Sequence, residues 1–436
     1  MIEQRVYNYI ALPAGLLGYR LISVFDKKAK LNFERRGNVL ADWELKLANS
    51  GEGKRVLVHI SSVGEYLQVK PILRLIKERS CGMKLVLSFF SPSLEPLISK
   101  GVPADLVGYL PFDRKKVMER FLQMVNPGLI IFSCYDLWPN LIWEAKERGI
   151  KVLLVNGSLA ENSGKLNPLV RWWFSLLYQE LDLILAGSEE DKRRILRFKV
   201  SDEKVIATGN ARFDESLVRI KAISAEDPLY QFFSPFKTGA CLVIGSSWEE
   251  DERVLIPALA KLWKEGFGLR VIIAPHEPKP ERTKRLFSEF SSLGAEPYYL
   301  SELENGLRRL SATCKVIIVD SVGKLYKLYK LGEMAFVGGS FKREVHNVLE
   351  PAGFGIPVLF GPKFKNSQEA VKLLEKGGGV LVKNSDHLCQ ELRILLKDEE
   401  RRKDLGRGAY QLMLENQGAG ERSWKLFLER FPEIFR

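Results

Sequence analysis

Cysteine is scarce in this chain, with 5 cysteines among 436 residues. They are Cys81, Cys134, Cys241, Cys314 and Cys389. Their number is odd, they form no Cys-x-x-Cys pair, and their spacing fits no disulfide framework. These absences exclude a small disulfide-stabilised scaffold and indicate a reducing compartment.

The sequence also lacks the patterns that hold a catalytic metal. Its 4 histidines lie far apart, without zinc-type spacing. They are His59, His276, His346 and His387. It contains no Asp-x-Asp, the usual carboxylate pair that holds a metal against a sugar-nucleotide diphosphate. We therefore expect no catalytic metal and no cofactor.

No apolar run reaches the roughly 20 residues that a spanning helix needs. The nearest is residues 10–25, IALPAGLLGYRLISVF, which Pro13 and Arg20 interrupt, and no small-residue cleavage site of a signal peptide follows it. A basic cluster follows, made of Lys27, Lys28, Lys30, Arg35 and Arg36. An apolar helix beside a basic cluster is typical of a segment on an anionic leaflet, with its positive side toward the cytoplasm. We predict such a membrane-associated helix over 1–30; the alternative is an ordinary helix packed on the protein.

The charge of the chain is positive. Lys and Arg number 66 against 54 for Asp and Glu, a formal net charge of +12 with a pI near 9.3. Apolar residues at 46% and charged residues at 28% exclude a disordered protein. The surplus fits nucleic acid, an anionic membrane surface or a phosphorylated substrate. Because no aromatic-interleaved basic patch accompanies it, we predict no nucleic-acid partner.

Short apolar runs alternate with amphipathic stretches from Lys54 onward. Near-continuous apolar runs are typical of parallel strands buried on both faces. The predicted strands are 56–60, 85–90, 129–133, 152–156, 183–187 and 205–209, then 241–245, 270–275, 315–320, 334–339, 357–362 and 379–384. Two such arrays predict an α/β fold of two doubly wound Rossmann-like domains that face a cleft.

The domain boundaries follow from breaks in this rhythm. The stretch DPLYQFFSPFKTG, residues 227–239, carries two prolines and a loop-like composition, so we interpret it as a linker. The predicted segments are an N-terminal helix over 1–30, a first domain over 31–226, the linker over 227–239, a second domain over 240–420, and a C-terminal helix over 421–436 that is a candidate to cross back onto the first domain.

Polar residues follow the predicted strands of the first domain. Glu65 ends the run Ser61-Ser62-Val63-Gly64-Glu65 where a helix opens, so its carboxylate is either a general base or a cap favoured by the helix dipole. Asp136 is a second carboxylate, followed by Trp-Pro-Asn at a helix start. Asn156 and Ser158 suit contacts to a sugar or simply form a turn.

The second domain carries a denser set of polar and glycine-rich strand ends. Ser246 and Ser247 precede a helix whose free N–H groups can hold a phosphate. His276 ends the next strand. The stretch 338–350 combines two glycines with Ser340, His346, Asn347 and Glu350. This is the layout of a nucleotide site, with a loop over the phosphate and a carboxylate for ribose hydroxyls.

The order of these motifs resembles the 3-deoxy-D-manno-octulosonic acid (Kdo) transferases from about residue 7 to about residue 385. The motifs are SSVGE (61–65), DLWPN (136–140), NGSL (156–159) with a later Ser163, GSSWEEDE (245–252), APHE (274–277), VDSVGKL (319–325), GGSF (338–341), HN-x-LEP (346–351) and G-x-PV-x-x-GP (355–362). The family comprises two-domain glycosyltransferases of the GT-B type that build the lipopolysaccharide inner core.

The resemblance implies a metal-independent, inverting transfer of Kdo from CMP-Kdo to a lipid A precursor at the cytoplasmic face of the inner membrane. It implies that Glu65 is the base and that Asp136 supports it. The implied donor-binding residues, in the second domain, are Ser246, Ser247, His276, Ser340, His346, Asn347 and Glu350. The implied acceptor-binding residues, in the first domain, are Ser62, Gly64, Asn156 and Ser158.

Some positions depart from the family pattern. Asp136 stands where the family usually has Glu, and Ala274-Pro275-His276 stands where many members have Pro-Arg-His. Lys279 and Arg282 are the candidate replacements for the missing arginine. Two alternatives stay open: another GT-B glycosyltransferase with a different nucleotide-sugar donor, and a non-catalytic protein that binds the membrane surface.

Overall fold

The computed structural model describes residues 2–80, 82–224, 226–237 and 239–435. The chain divides into two compact units. Unit 1 comprises residues 1–215 and 417–436, and unit 2 comprises residues 216–416. Each unit contains a seven-stranded sheet in which every strand pairing is parallel, so the fold class predicted from the apolar runs is confirmed.

The sheet of unit 1 has the strand order β3-β2-β1-β4-β5-β6-β7. Its strands are β1 Arg55–Ile60, β2 Lys84–Phe89, β3 Leu106–Tyr109, β4 Leu129–Ser133, β5 Lys151–Gly157, β6 Leu183–Ala186 and β7 Val205–Ala207. Successive side chains point to opposite faces: Leu57 packs in one apolar cluster, and Val56 and Val58 pack in the other. Both faces are therefore buried, which is why these strands are continuously apolar.

Helices alternate with these strands along the chain, and several of them pack on the faces of the sheet. They are α1 Ile2–Val6, α2 Leu12–Phe25, α3 Lys27–Glu34, α4 Val39–Ala48, α5 Val63–Arg79, α6 Glu95–Ile98, α7 Lys115–Val125, α8 Pro139–Glu147, α9 Pro168–Glu180, α10 Glu189–Leu196 and α11 Arg212–Lys221. A π-helical turn joins α1 to α2 over Tyr7–Ala11, and short 3-10 turns lie at Pro92–Leu94, Gly164–Leu166 and Asp202–Lys204.

Unit 2 repeats the plan with the strand order β10-β11-β9-β8-β12-β13-β14. Its strands are β8 Cys241–Ser247, β9 Arg270–Pro275, β10 Pro297–Tyr299, β11 Val316–Ile318, β12 Met334–Val337, β13 Val358–Phe360 and β14 Gly379–Leu381. Its helices are α12 Glu249–Lys264, α13 Pro280–Ser292, α14 Leu300–Glu304, α15 Leu325–Leu328, α16 Leu349–Ala352, α17 Gln368–Glu375, α18 Ser385–Lys397 and α19 Glu399–Asn416, with 3-10 turns at Pro228–Lys237 and Tyr329–Leu331.

Two strands, β3 and β10, were not predicted, and each lies at an edge of its sheet. Strand β3 reads Leu-Val-Gly-Tyr and is only partly buried, and β10 begins with a proline. Gly and Pro are depleted from strands, and an edge strand needs only one partner, so neither sequence carries the apolar run that marks the central strands.

The N-terminal segment is helical and anchored to unit 1. The hydroxyl of Tyr7 donates to Asp113 at 2.8 Å, and the ring of Tyr7 stacks on Trp173 at 5.7 Å. The side chains of Asn8 and Asn140 exchange two hydrogen bonds, at 2.8 and 3.0 Å. Within the described part of the chain, no helix is both long and apolar enough to cross a membrane.

The predicted basic cluster is only partly available at the surface. Lys27, Lys28 and Arg35 are exposed, whereas Arg36 is 5% exposed. The guanidinium of Arg36 donates to the carbonyls of Leu110 at 2.8 Å and Phe90 at 2.9 Å. Burial lowers the pKa of Arg36 to about 10. Arg36 therefore belongs to the interior of unit 1 and not to the predicted cationic surface.

The structure divides the chain at a different place from the predicted linker. The division falls between Glu215 and Ser216, within α11. The stretch interpreted as a linker, 227–239, contains a 3-10 turn whose Leu229 and Phe233 are buried in a core of unit 2. Its loop-like composition concealed these two apolar anchors, which tie it to unit 2.

The C-terminal segment joins unit 1, and it does so from Gln417 instead of from residue 421. It forms α20 Ala419–Arg430 and α21 Pro432–Phe435. Asp214 accepts from the backbone N–H groups of Gly418 at 2.5 Å and Gly420 at 2.8 Å. Trp424, Phe427, Phe431 and Phe435 are buried in the apolar cluster on one face of the first sheet.

Candidate functional site

Each sheet contains a central point where the strand order reverses direction, and several of the predicted site residues lie beside it. In unit 1 the reversal lies between β1 and β4, and in unit 2 it lies between β8 and β12. Loops that leave the carboxyl ends of such neighbouring strands diverge and leave a crevice for a ligand. Glu65 follows β1 and Asp136 follows β4, while Ser246 lies at the end of β8 and Gly338 follows β12.

In unit 1, Glu65 is held by the turn that starts α5. Ser62 is the N-cap, and its hydroxyl accepts from the backbone N–H of Glu65 at 3.3 Å. The carboxylate of Glu65 in turn accepts from the backbone N–H of Ser61 at 2.7 Å. This reciprocal pairing resembles a capping box, shifted by one residue. Glu65 is thus a helix cap, which is one of the two roles that the sequence left open. The hydrogen bond from Ser61 reaches only one of its two carboxylate oxygens, Oε2.

Ser61 connects Glu65 to the second carboxylate. Its hydroxyl donates to Asp136, which also accepts from the indole N–H of Trp138 at 3.3 Å. His59 lies beside this group, with Nε2 at 3.4 Å from the hydroxyl of Ser61 and Nδ1 at 3.0 Å from the hydroxyl of Ser88. Burial lowers the pKa of His59, so its ring is neutral at pH 7. The carboxylates of Glu65 and Asp136 are therefore joined through a single serine.

Burial makes Glu65 a stronger base than an ordinary carboxylate. Glu65 is 6% exposed. Burial raises its pKa to about 7, the nearby charge of Asp136 adds to the rise, and the Ser61 N–H and the charge of Lys165 oppose it. A general base is most effective when its pKa is close to the working pH. The same residue that caps α5 is therefore tuned for proton transfer.

Lys165 is the cation of this group. Its ammonium donates to the carbonyl of Tyr135 at 2.5 Å and lies 5.2 Å from the ring centroids of Tyr135 and Phe174. Burial lowers the pKa of Lys165, and the charges of Asp136 and Glu65 oppose that shift. A partly desolvated cation next to two carboxylates can bind an anionic group of a ligand while it limits their mutual repulsion.

The predicted acceptor residues fall into two kinds. Asn156 is buried and has a φ of 51°. Its side chain donates to the carbonyl of Gln68 and accepts from the N–H of Ala211, both at 3.0 Å. These bonds occupy its amide and fix the turn after β5. Ser158 is half-buried beside this turn, and Gly64 lies in the first turn of α5 with no steric need for glycine.

The Trp-Pro-Asn motif at the start of α8 has a structural role. Asp113 is 3% exposed and accepts from the backbone N–H groups of Asn140 at 3.0 Å and Leu141 at 3.1 Å, besides the hydroxyl of Tyr7. Burial raises the pKa of Asp113 to about 7. The carboxylate thus satisfies the free N–H groups at the start of α8 and joins that helix to the N-terminal segment.

In unit 2, glycines let two loops approach each other closely. A side chain at Gly338 would have its Cβ 2.4 Å from the carbonyl oxygen of Ser246, and one at Gly339 would lie 3.0 Å from Nε2 of His346. Ser246 adopts a φ of 53° and Gly339 a φ of 92°. The loop after β12 can therefore lie against the end of β8 only because Gly338 has no side chain, and Gly339 lets the same loop fold closely on its own residue His346.

A buried carboxylate fixes the shape of this loop. Asp251, in the first turn of α12, accepts from the backbone N–H groups of Trp248 at 2.8 Å, Gly339 at 2.7 Å and Phe341 at 3.2 Å. Ser340 is fully buried and its hydroxyl accepts from the N–H of Gly361 at 2.6 Å. Ser340 is thus part of the loop scaffold.

Ser247 at the end of β8 and Arg282 in α13 form a second internal network. The hydroxyl of Ser247 donates to Glu252 at 2.8 Å. Arg282 donates to the same carboxylate at 2.7 Å and to the carbonyl of Ser247 at 2.8 Å. Arg282, one candidate replacement for the missing family arginine, is therefore paired inside unit 2. The other candidate, Lys279, pairs with Glu277 at the surface.

Three rings and one cation form the open face of the unit 2 site. Trp248, His276 and His346 stack on one another, and the indole N–H of Trp248 donates to Nε2 of His346 at 2.9 Å. The ammonium of Lys342 lies 3.3 Å from the indole centroid of Trp248. Burial lowers the pKa of both histidines, that of His346 to about 4.

The remaining predicted donor residues lie at the start of α16. The side chain of Asn347 accepts from the backbone N–H of Leu349 at 3.2 Å. Glu350 is half-buried and accepts from Arg219 at 3.0 Å. Arg219 also lies 4.3 Å from the ring centroid of Tyr326. A carboxylate oriented by an arginine is suited to hold ribose hydroxyls, although its charge is partly neutralised.

Sequence reasoning did not identify Ser61, Lys165 or Trp248 as site residues. Ser61 and Trp248 lie inside motifs that were recognised, next to the residues chosen, so their positions at strand ends were a usable signal. Lys165 lies 29 residues beyond Asp136 in sequence and reaches the site through the turn Gly164–Leu166. No local pattern marks it. Among the described residues, no group of three or more His, Cys, Asp or Glu side chains could hold a metal ion.

Comparison with protein families identifies a relationship for unit 1. Residues 32–215 match the family described as 3-deoxy-D-manno-octulosonic-acid transferase (kdotransferase). The chain is 29% identical to the 3-deoxy-D-manno-octulosonic acid transferase of Chlamydophila psittaci over 391 residues, which is 88% of this chain and 86% of that protein. It is also 29% identical to that of Haemophilus influenzae over 387 residues, 86% of this chain and 87% of that protein.

Solved structures share the fold at low identity. A UDP-GlcNAc 2-epimerase from Neisseria meningitidis superimposes with a TM-score of 0.63 at 15% identity, covering 86% of this chain and 100% of that one. A glycosyltransferase from Rickettsia africae superimposes with a TM-score of 0.57 at 13% identity, covering 87% of this chain and 99% of that one. The two-unit GT-B fold expected from the motifs is therefore confirmed.

Proposed function

We propose that this chain, which is similar to Kdo transferases over most of its length, is a glycosyltransferase of lipopolysaccharide synthesis that transfers Kdo from CMP-Kdo to a lipid A precursor (lipid IVA). We propose further that the transfer inverts the anomeric carbon and needs no metal. The observation that carries the proposal is the group formed by Glu65, Ser61 and Asp136, in which burial raises the pKa of Glu65 to about 7.

The proposed chemistry is a single displacement. An acceptor hydroxyl attacks the anomeric carbon of Kdo, and Glu65 takes the hydroxyl proton as the new C–O bond forms. The bond from the anomeric carbon to the phosphate oxygen breaks, and its electron pair leaves with CMP. Attack from the face opposite the leaving group inverts the configuration. Asp136 acts through Ser61, which keeps the turn and the carboxylate of Glu65 in place.

The leaving phosphate is proposed to bind in unit 2. There the loop after β12 lies close to the end of β8 because it begins with Gly338, and Lys342 supplies a cation whose ammonium lies 3.3 Å from the indole centroid of Trp248. The leaving group, CMP, has a single phosphate. Hydrogen-bond donors and a lysine can stabilise the negative charge that develops on it without magnesium. Glu350, oriented by Arg219, is proposed to hold the ribose.

The proposed acceptor is an anionic lipid, and the surface of unit 1 supports this. Large apolar side chains are exposed along α2 and α9; the most exposed are Leu17, Leu21, Val24, Phe25 and Leu169. An apolar groove of about 670 Å³ between the N-terminal segment and α9 has Lys165 in its lining. A second groove, of about 1000 Å³, is lined by the cations Arg5, Arg20, Arg114, Lys115 and Lys116.

These features favour a helix that lies on the anionic cytoplasmic face of the inner membrane. An interfacial helix buries its apolar face at the boundary between headgroups and acyl chains, and neighbouring cations bind the anionic headgroups. The apolar groove then receives acyl chains, and Lys165 pairs with an anionic group of the acceptor close to Glu65.

The test is a reconstitution with purified full-length protein, CMP-Kdo and a tetraacylated lipid A precursor, with products read by mass. A mass increase of one or more Kdo units, with matching CMP release, supports the proposal. Parallel reactions with a chelator test metal independence, and NMR of the product tests inversion. Transfer from UDP-N-acetylglucosamine but not from CMP-Kdo would show a different donor, and membrane binding without turnover would show a non-catalytic protein.

A further inference from the structure

The open face of the unit 2 site is built on a stack of three rings that belong to three different loops. The ring centroids of Trp248 and His276 lie 4.7 Å apart, and those of His276 and His346 lie 4.3 Å apart with the planes inclined by 10°. Trp248 is not a member of the predicted donor set, and only its backbone N–H belongs to the loop scaffold, so the place of its side chain in the stack needs its own explanation.

The hydrogen bond between Trp248 and His346 determines where the imidazole carries its proton. The indole Nε1–H of Trp248 lies 2.9 Å from Nε2 of His346. An indole nitrogen can only donate, so Nε2 must accept, and the single proton of a neutral imidazole must lie on Nδ1. Burial and the neighbouring His276 hold the pKa of His346 at about 4, so the ring is neutral at pH 7.

The packing of His346 engages the Nε2–Cδ2 edge of the ring and leaves Nδ1 outside these contacts. The engaged edge lies against Gly339, where a Cβ would approach Nε2 and Cδ2 to 3.0 and 2.9 Å. The backbone N–H of His346 donates to the carbonyl of Gly338 at 3.1 Å, which fixes the residue to the loop. The ring is half-buried, and none of the described residues accepts a hydrogen bond from Nδ1.

Trp248 also positions a positive charge. The ammonium of Lys342 lies 3.3 Å from the indole centroid, a cation–π contact that restrains a flexible side chain near the same edge of the sheet. The guanidinium of Arg282 lies 5.6 Å from that centroid but is paired with Glu252. One indole therefore orients a neutral N–H donor through its edge and a cation through its face.

We propose that Trp248 is a positioning residue for donor binding: it fixes His346 as the Nδ1–H tautomer so that this N–H donates to the phosphate of the CMP-sugar. The inference rests on the proposed function, because it takes CMP as the ligand of unit 2. A fixed tautomer avoids the cost of selecting it when the ligand binds, which would otherwise weaken binding.

The first measurement reads the tautomer directly. In ¹⁵N-labelled full-length protein at pH 7.5, long-range ¹H–¹⁵N correlation spectra distinguish a protonated from an unprotonated ring nitrogen. We expect His346 to show a protonated Nδ1 and an unprotonated Nε2, assigned by comparison with His346→Asn. In Trp248→Phe, which keeps a ring for Lys342 but loses the N–H, both nitrogens should show intermediate shifts.

The second measurement is calorimetric titration with CMP. We expect Trp248→Phe to weaken CMP binding about tenfold, the usual effect of one lost hydrogen bond. The same change should have no further effect in a His346→Asn background, since Trp248 acts through His346. Trp263→Phe is the matched control: Trp263 donates to the carbonyl of Leu269 at 2.8 Å within the core of unit 2, and its loss should leave CMP affinity unchanged.

The outcomes are distinct. A protonated Nε2 in the wild-type protein, or an unchanged tautomer in Trp248→Phe, overturns the proposal whatever CMP does. A changed tautomer with unchanged CMP affinity overturns the link to the donor. If the wild-type protein shows the expected tautomer but does not bind CMP, the proposed function fails and the proposal fails with it, while the tautomer remains established.

Discussion

The two units use the same sheet topology but place opposite chemistry at the reversal of strand order. In unit 1 the neighbouring strand ends carry carboxylates, Glu65 and Asp136, with Lys165 beside them. In unit 2 they carry glycines, neutral rings and the cation Lys342. Under the proposed function, unit 1 accepts a proton and unit 2 holds an anion. The scaffold supplies the position, and the residues after each strand supply the function.

Both units also use one buried aspartate to hold the site loops. Asp113 in unit 1 accepts from two backbone N–H groups at the start of α8, and Asp251 in unit 2 accepts from three in the loops after β8 and β12. Burial raises the pKa of each. The difference between the units thus lies in the side chains that face the ligand, whereas the method of anchoring is shared.

The largest expected effect comes from removing the base of unit 1. Glu65→Gln keeps the oxygen that accepts from the Ser61 N–H, so the turn should persist. Turnover should fall by at least roughly 10²–10⁴-fold, the usual contribution of a general base. CMP affinity, a property of unit 2, should stay unchanged. Initial rates and calorimetry with CMP, beside Asp136→Asn as the matched carboxylate variant, check this. Turnover within a few-fold of wild type would reduce Glu65 to a helix cap.

The next effect is on stability. Asp113→Ala leaves the N–H groups of Asn140 and Leu141 and the hydroxyl of Tyr7 without their acceptor. The free energy of unfolding should fall by about 3 kcal/mol, because several buried donors lose their partner. Denaturant unfolding measures this. Asp105→Ala is the control, since Asp105 is partly exposed. It should lower the free energy of unfolding by less than Asp113→Ala does. Equal losses would mean that Asp113 has no special anchoring role.

Glu350→Ala tests the ribose contact of unit 2. Its loss should weaken CMP binding by roughly 1–3 kcal/mol, the cost of removing a buried polar partner. Arg219→Gln removes the ion pair at 3.0 Å but keeps the carboxylate, so it separates the contribution of the pair from that of Glu350 itself. Unchanged CMP affinity in Glu350→Ala would count against this placement, whereas turnover should be affected only at subsaturating donor.

The pH dependence should report Glu65. The base must be ionised, and its pKa is raised from 4.5 to about 7, so kcat/KM should fall about tenfold per pH unit below 7. The raised pKa also means that the folded protein binds the proton more tightly, so stability should decrease as pH rises from 4.5 to 7. Rate profiles and thermal unfolding at several pH values measure both. If kcat/KM began to fall only near pH 4.5, the conclusion that burial raises the pKa of Glu65 would be contradicted.

The smallest effect concerns the membrane surface. Changing Leu17, Leu21 and Phe25 to Ser should release the protein from vesicles of phosphatidylglycerol and phosphatidylethanolamine, while turnover on detergent-dispersed acceptor stays within a few-fold. These residues are 61%, 61% and 90% exposed, so the fold should not suffer. Leu307→Ser with Val322→Ser, exposed residues of unit 2, is the control. Equal binding of both variants in a flotation assay would disprove a localised membrane surface.

Point substitutions are preferable to deleting the N-terminal segment. Tyr7 and Asn8 bind Asp113 and Asn140 inside unit 1, so deletion of residues 1–25 would strand buried polar groups and destabilise the unit. Loss of activity after such a deletion would then report unfolding and not a role in chemistry.

The sequence predicted every central strand because a strand buried on both faces must be apolar along its whole length. It missed β3 and β10 because an edge strand tolerates Gly and Pro. It also predicted a carboxylate after β1 and after β4, since residues that follow parallel strands gather at one edge. It did not predict Lys165, which reaches that edge from a distant turn, or the burial of Arg36 under Phe90.

The sequence alone determined the two Rossmann-like units and the types of residue at each strand end, because alternation of apolar runs and the placement of Gly, Ser, Glu and His are local properties. Only the tertiary structure decided what those residues do. Burial, which depends on the whole packing, raises the pKa of Glu65 to about 7. Contacts between distant loops join Ser61 to Asp136 and Trp248 to His346, and such contacts leave no local pattern in the chain.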